Sequence, residues 1–138
     1  MKANELRLGN WIKYKNSYAK VENMSSRFIM DTSDYVGVRY TGGWYTMCVS
    51  TAFKPIELTE EVLLKIGFSK YNDVINIYSF ENESVIVIYA PDLKLLRIED
   101  IKSDILIDRN VRLNNVEYLH QLQNVYYLLI GKELEVSL

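Results

Sequence analysis

The stretch from Leu113 to Val136, LNNVEYLHQLQNVYYLLIGKELEV, constrains the fold more than any other part of the chain. Tyr118, Leu119, Leu122, Val125, Tyr126, Leu129 and Ile130 recur at three- and four-residue steps and so share one broad helical face. Asn114 reads as the N-cap, with Glu117 three residues on for a capping box and Leu113 and Tyr118 at staple positions. Gly131 supplies the left-handed stop. The spacing therefore predicts a long helix over 115–130. Leu134, Val136 and Leu138 then alternate with polar residues, as in a short terminal strand or an extended tail.

The opposite face of that helix carries His120, Gln123, Asn124 and Tyr127, again at three- and four-residue steps. As function, this is a row of donors and acceptors able to read a ligand or a partner. The plainer alternative is a solvated helix face, or caps for neighbouring strands, because polar faces on surface helices are the default.

A helix with one apolar stripe needs a layer to lie on, and much of the remaining chain is strand-like. Leu8, Asn10, Ile12 and Tyr14 alternate with Gly9, Trp11 and Lys13. A turn at Asn16-Ser17 leads to a second strand through Ala19 and Val21, and Arg27–Met30 reads as a third. The clearest hairpin is Tyr35–Thr41 and Trp44–Val49 about Gly42-Gly43, a register that sets Tyr40 against Tyr45 and Val38 against Met47. So many short strands within residues 1–54 point to a small SH3-like β-barrel subdomain.

Pro55 closes that region. Thr59 then caps a short helix over 59–66, with Glu60 and Glu61 in its first turn; Gly67 ends it and Phe68 folds back. Val74–Phe80 and Val85–Ala90 flank the polar loop Glu81–Ser84 as a hairpin. Leu93–Ile98, Ile105–Ile107 and Val111–Leu113 are further strand candidates. The fold expected is α+β: the barrel, then a small antiparallel sheet within residues 55–138 packed on the long helix, with one compact domain as the alternative.

The 138 residues are 49% hydrophobic and 25% charged, an ordinary globular balance. One cysteine, Cys48, excludes an intramolecular disulfide. The opening MKANELRLGNWIKYK lacks the apolar core of a secretory signal, and no apolar run is long enough for a transmembrane helix, so a cytoplasmic setting is expected. The net charge of −2 divides unevenly: residues 1–54 carry eight Lys/Arg against four Asp/Glu, and residues 55–138 eight against fourteen.

No catalytic, cofactor-binding or metal-binding set stands out. Gly42-Gly43 is a turn, not a phosphate loop. Cys48 and His120 fall on separate elements; nucleophile and base is one reading of the pair, and a buried small hydrophobe is the plainer one for the thiol. Glu99, Asp100, Asp104 and Asp108 cluster without the spacing of a calcium loop, which favours solvated turn residues. The basic, aromatic first half is the richer signal. Trp11, Lys13, Tyr14, Arg39, Tyr40, Trp44 and Tyr45, with Arg7, Lys15, Tyr18, Lys20 and Arg27, combine charge with stacking faces, which suits single-stranded nucleic acid. Core aromatics with scattered lysines are the alternative.

Three segments resemble a known family. PIELTEEVLLKIGF (Pro55–Phe68), YLHQLQNVYYLLIGKEL (Tyr118–Leu134) and the opening ELRLGNWIKY (Glu5–Tyr14) are similar to stretches of a family of short uncharacterised proteins from Bacteroides-type bacteria, their phages and mobile elements. The resemblance implies a bacterial or phage accessory role and brings no activity, cofactor or site residue with it. The expected function is therefore binding, foremost of another protein, with self-association through a sheet edge as a natural extension. Single-stranded nucleic-acid binding by the basic half is the alternative.

Overall fold

A computed structural model of the chain describes residues 3–26, 34–41, 43–72, 75–83, 85–100 and 111–138. The fold is mixed α+β; the described residues form two five-stranded antiparallel sheets and one long helix near the C-terminus. The chain forms two compact units. One comprises Met1–Glu57, Tyr118–Leu134 and Leu138, and the other Leu58–Glu117 and Glu135–Ser137.

In the first unit, β1 (Trp11–Tyr14), β2 (Ser17–Ser26), β3 (Asp34–Tyr40), β4 (Tyr45–Val49) and β5 (Phe53–Lys54) assemble in the order β4-β3-β2-β1-β5. Consecutive antiparallel pairings build β1 to β4. A 3₁₀ turn at Ser50–Ala52 then brings β5 back to pair with β1, and the sheet curls into a half-barrel. The pleat sends Ile12, Ala19, Val21, Val36, Val38 and Phe53 into one core, with Tyr14, Tyr40 and Cys48 packed against it. The expected strand at Arg27–Met30 lies outside the described residues.

Both of this sheet's expected turns shift by one residue. Tyr14 pairs with Ser17, so the first turn centres on Lys15-Asn16, with Lys15 at φ 53°. In the second, Arg39 faces Tyr45 and Gly37 faces Met47. The Tyr40 N–H donates to the Trp44 carbonyl at 2.8 Å and the Gly43 N–H to the Tyr40 carbonyl at 2.8 Å, closing a three-residue loop. Gly43 at φ +87° supplies the left-handed residue such a loop needs, and Gly42 lies outside the described residues.

The helix α2 (Leu119–Ile130) also belongs to this unit. It begins later than expected, and neither Asn114 nor Glu117 caps it. The cap is Tyr118, whose N–H donates to Gln121 Oε1 at 3.1 Å. Asn115 takes a left-handed φ of 62°, while Tyr118 makes a β-bridge with Glu57 and the Leu119 N–H donates to the Ile56 carbonyl at 2.8 Å. Extended pairing has claimed the backbone that would have made the first turn. The C-terminal end is as expected, with the Gly131 N–H on the Tyr127 carbonyl at 2.8 Å. Beyond it, Leu134 is buried and no terminal strand forms.

In the second unit, α1 (Glu60–Lys65) is capped by Thr59, whose hydroxyl accepts from the Val62 N–H at 3.4 Å. At its end the Phe68 N–H reaches the Leu63 carbonyl at 3.0 Å and the Gly67 N–H the Leu64 carbonyl at 3.2 Å, the paired bonds of a Schellman motif. The strands β6 (Ser69–Asn72), β7 (Ile77–Glu81), β8 (Val85–Ala90), β9 (Leu95–Asp100) and β10 (Val111–Leu113) form a meander in chain order. Val85, Val87 and Tyr89 point inward with Leu96, Ile98 and Tyr78. The polar strand β6 escaped the sequence pattern. β9 starts at Leu95 because Pro91–Leu93 forms a 3₁₀ turn closed by Lys94 at φ 49°. The β7–β8 loop is tighter than expected: the Asn82 N–H donates to the Val85 carbonyl at 3.1 Å. The Ile105–Ile107 strand lies outside the described residues.

Candidate nucleic-acid interface

The polar row on α2 is turned mostly inward. His120 and Gln123 are buried, Asn124 is half-buried and Tyr127 is exposed. Gln123 Oε1 accepts from the Trp11 N–H at 2.9 Å and its Nε2 donates to the Gly9 carbonyl at 3.3 Å. Asn124 Oδ1 accepts from Asn10 Nδ2 at 2.9 Å and from Arg7 Nε at 3.2 Å, while its Nδ2 donates to the Glu5 carbonyl at 3.1 Å. Arg7 stacks its guanidinium 4.1 Å from the Tyr127 ring centre and forms an ion pair with Glu133. These groups fasten segment 5–11 to the helix. The sequence assigned α2 to the second sheet, but its polar bonds join it to the start of β1. An apolar stripe tells that a helix is covered and not by what.

The outer face of the first sheet is where charge and aromatic surface meet. Residues opposite one another on neighbouring strands share a face, so the register defines rows across the sheet. One row runs Lys54, Lys13, Tyr18 across β5, β1 and β2. The next, two residues along each strand, runs Trp11, Lys20, Arg39, Tyr45 across β1 to β4. Lys13, Lys20, Arg39 and Lys54 are all exposed, Tyr45 is exposed, and Trp11 and Tyr18 are half-buried. Trp44, at the hairpin tip beside Tyr45, is 80% exposed.

Two cross-strand pairs on this face, Lys13 with Lys54 and Lys20 with Arg39, set like charges directly opposite each other. Such pairs destabilise an antiparallel ladder. Glu22 supplies local compensation. A bulge between Val21 and Asn23 adds it to β2, and its Oε1 accepts from Arg39 Nε at 2.7 Å. That bond holds the Arg39 guanidinium above even its usual pKa. Arg39 Nη1 also donates to the Gly43 carbonyl at 3.1 Å, tying the hairpin tip to the face.

Tyr45 is laid over Gly37. A Cβ at position 37 would overlap the Tyr45 hydroxyl and stand 2.9 Å from its Cζ. The ring thus covers bare backbone, with the Arg39 guanidinium 6.0 Å from its centre. It is a preplaced flat surface next to the Arg39 guanidinium.

Of the basic and aromatic residues that the sequence grouped, the structure brings together Trp11, Lys13, Arg39 and Tyr45, leaves Trp44 exposed at the hairpin tip opposite Tyr40, and separates Tyr14 and Tyr40 from the face. Those two lie on the inner face, 6.0 Å apart between ring centres, and Tyr14 packs on Phe53 at 5.4 Å. A hydrogen bond with Cys48 raises the Tyr14 phenol above its usual pKa, and burial raises Tyr40. Lys54, Glu22 and Gly37 were not singled out in the sequence. Lys54 joins the face only through β5 returning to β1, a pairing with no local signal.

Other candidates are placed as follows. Cys48 sits on the inner side of β4 with its Sγ 4.0 Å from Thr46 Oγ1, and His120 on α2. Glu99 pairs with Arg97 at 2.7 Å, and Asp100 ends β9; Asp104, Asp108 and Arg27 lie outside the described residues. Among the described residues no three His, Cys, Asp or Glu side chains gather as metal ligands, and no helix is long and apolar enough to cross a membrane. No protein-family model, curated protein or solved structure matches this chain.

Proposed function

We propose that the first unit binds single-stranded nucleic acid across the outer face of its sheet. The observation that carries this reading is the pair of like-charged cross-strand contacts, Lys13–Lys54 and Lys20–Arg39, flanked by Trp11, Tyr18 and Tyr45. A face that holds cations against one another is relieved by a polyanion. Lysine and arginine neutralise phosphates while aromatic rings accept bases without regard to sequence. We take the unit to be a small SH3-like barrel. Its strand order, with the last strand returning to the first, supports that assignment. The role suits a cytoplasmic accessory protein of a bacterium or phage, the setting the sequence resemblance implies.

The test is fluorescence polarisation with labelled oligo-dT and oligo-rU at several salt concentrations. With Lys13, Lys20 and Lys54 each neutralising a phosphate and releasing its condensed cation, log K falls against log salt with a slope of about −2. Charge reversal at Lys13 or Arg39 weakens binding. No binding at low salt removes the proposal.

A second reading, binding of a protein partner, is supported by the end of α2. Tyr127, Leu128 and Leu129 are consecutive and exposed, Leu128 to 82%. Capture of a partner that is lost on Leu128→Glu, with nucleic-acid binding unchanged, would favour it.

A further inference from the structure

Resting on the nucleic-acid reading, we propose that Glu22 is a built-in competitor for the strand, occupying Arg39 as a phosphate would and setting how tightly the face binds. The rows across the sheet, formed by Lys54, Lys13, Tyr18, Trp11, Lys20, Arg39 and Tyr45, contain no acid of their own. Glu22 reaches them because the bulge in β2 inserts a residue that the facing strand does not match. Bulges re-aim side chains, and this one aims a carboxylate at the arginine in the middle of the face.

The contact is the kind a phosphate replaces. Glu22 Oε1 accepts from Arg39 Nε at 2.7 Å, and guanidinium takes carboxylate and phosphate oxygens through the same planar donors. Both side chains stay open to solvent, 49% for Arg39 and 35% for Glu22, so the pair is weak and exchangeable. Arg39 keeps its bond to the Gly43 carbonyl throughout, which holds the guanidinium in place while the acceptor changes. Lys20, directly opposite Arg39, then gains a second anion to face.

In the wild-type protein the strand reaches Arg39 only by displacing Glu22, and the cation that the phosphate sheds there is offset by the cation that the freed carboxylate attracts. With Glu22 gone that offset disappears, and the cation released from the phosphate at Arg39 counts in full. The experiment compares wild type, Glu22→Gln and the double variant Glu22→Gln/Arg39→Gln by polarisation with oligo-dT across a salt series. Glu22→Ser is a second way to remove the carboxylate, and thermal melts verify that each variant is folded. Expected are binding about three- to tenfold tighter at low salt and a slope steeper by about 0.7 for either Glu22 variant, both gains vanishing in the double variant. A wild type that binds with Glu22 variants no tighter overturns this inference and leaves the nucleic-acid reading standing. Absence of binding in every form, wild type included, overturns both.

Discussion

The side-chain amide of Gln123 bridges the backbone on both sides of Asn10, its Oε1 accepting from the Trp11 N–H at 2.9 Å and its Nε2 donating to the Gly9 carbonyl at 3.3 Å. Gln123 is fully buried, so truncation takes the partner from both that N–H and that carbonyl. Gln123→Ala is expected to lower stability by about 2 kcal/mol, read as a fall in urea midpoint at constant m-value. Gln123→Glu should lose more, since it sets a carboxylate against the Gly9 carbonyl. A midpoint unchanged in the alanine variant would mean that the amide does not hold β1 to α2.

How far the sequence reached is clearest at these same elements. Spacing found α2 and its glycine stop, because both are local. It missed the start, because the backbone just before Leu119 is spent on pairing with Ile56 and Glu57, far earlier in the chain. It also grouped Lys13 with Tyr14 and Arg39 with Tyr40, neighbours in sequence that the pleat sends to opposite faces. Which of each pair faced outward was fixed by what the core accepted. Lys54 and Glu22 needed still more, a returning strand and a bulge, and neither leaves a mark in composition or period.

The opposition of Lys13 and Lys54 has two effects of opposite sign. Lys54→Glu turns a repulsive cross-strand pair into an attractive one, so the free protein should gain about 0.5 kcal/mol in urea unfolding. The same change should weaken oligonucleotide binding and flatten the salt slope by about 0.7. A variant that is more stable and binds as well as wild type would remove Lys54 from the interface.

Gly37 is required by Tyr45 and not by its own backbone. A methyl group there meets Tyr45 Cζ at 2.9 Å and Asn23 Cβ at 3.0 Å, and the ring is the part free to swing away. Gly37→Ala should therefore leave the protein folded and weaken binding about tenfold, the loss of one stacking surface. Tyr45→Ala should lose a similar amount. The double variant should lose no more than either alone, because both remove the same platform. Additive losses would show that Gly37 acts through something other than Tyr45.

His120 is the chain's one histidine, which makes its titration easy to isolate. It is buried on α2 with its ring stacked on Tyr118, 5.8 Å between centres, and its Nδ1 has no hydrogen-bond partner among the described residues. Burial lowers its pKa below the usual 6.5, and the Glu5 carboxylate offsets part of that fall. A group that is harder to protonate folded than unfolded contributes stability that is complete above the unfolded value and is lost as pH drops toward the folded one. Stability should therefore fall from about pH 6.5 downward, before the carboxylates near pH 4 begin to titrate. His120→Phe keeps the stack on Tyr118 and removes the ionisation, so its urea midpoint should stay level from about pH 6.5 to about pH 5. The imidazole C–H resonance, followed by NMR, should titrate with a midpoint below the usual 6.5. A midpoint at or above that value, or equal pH dependence in the two proteins, would mean that burial does not govern this histidine.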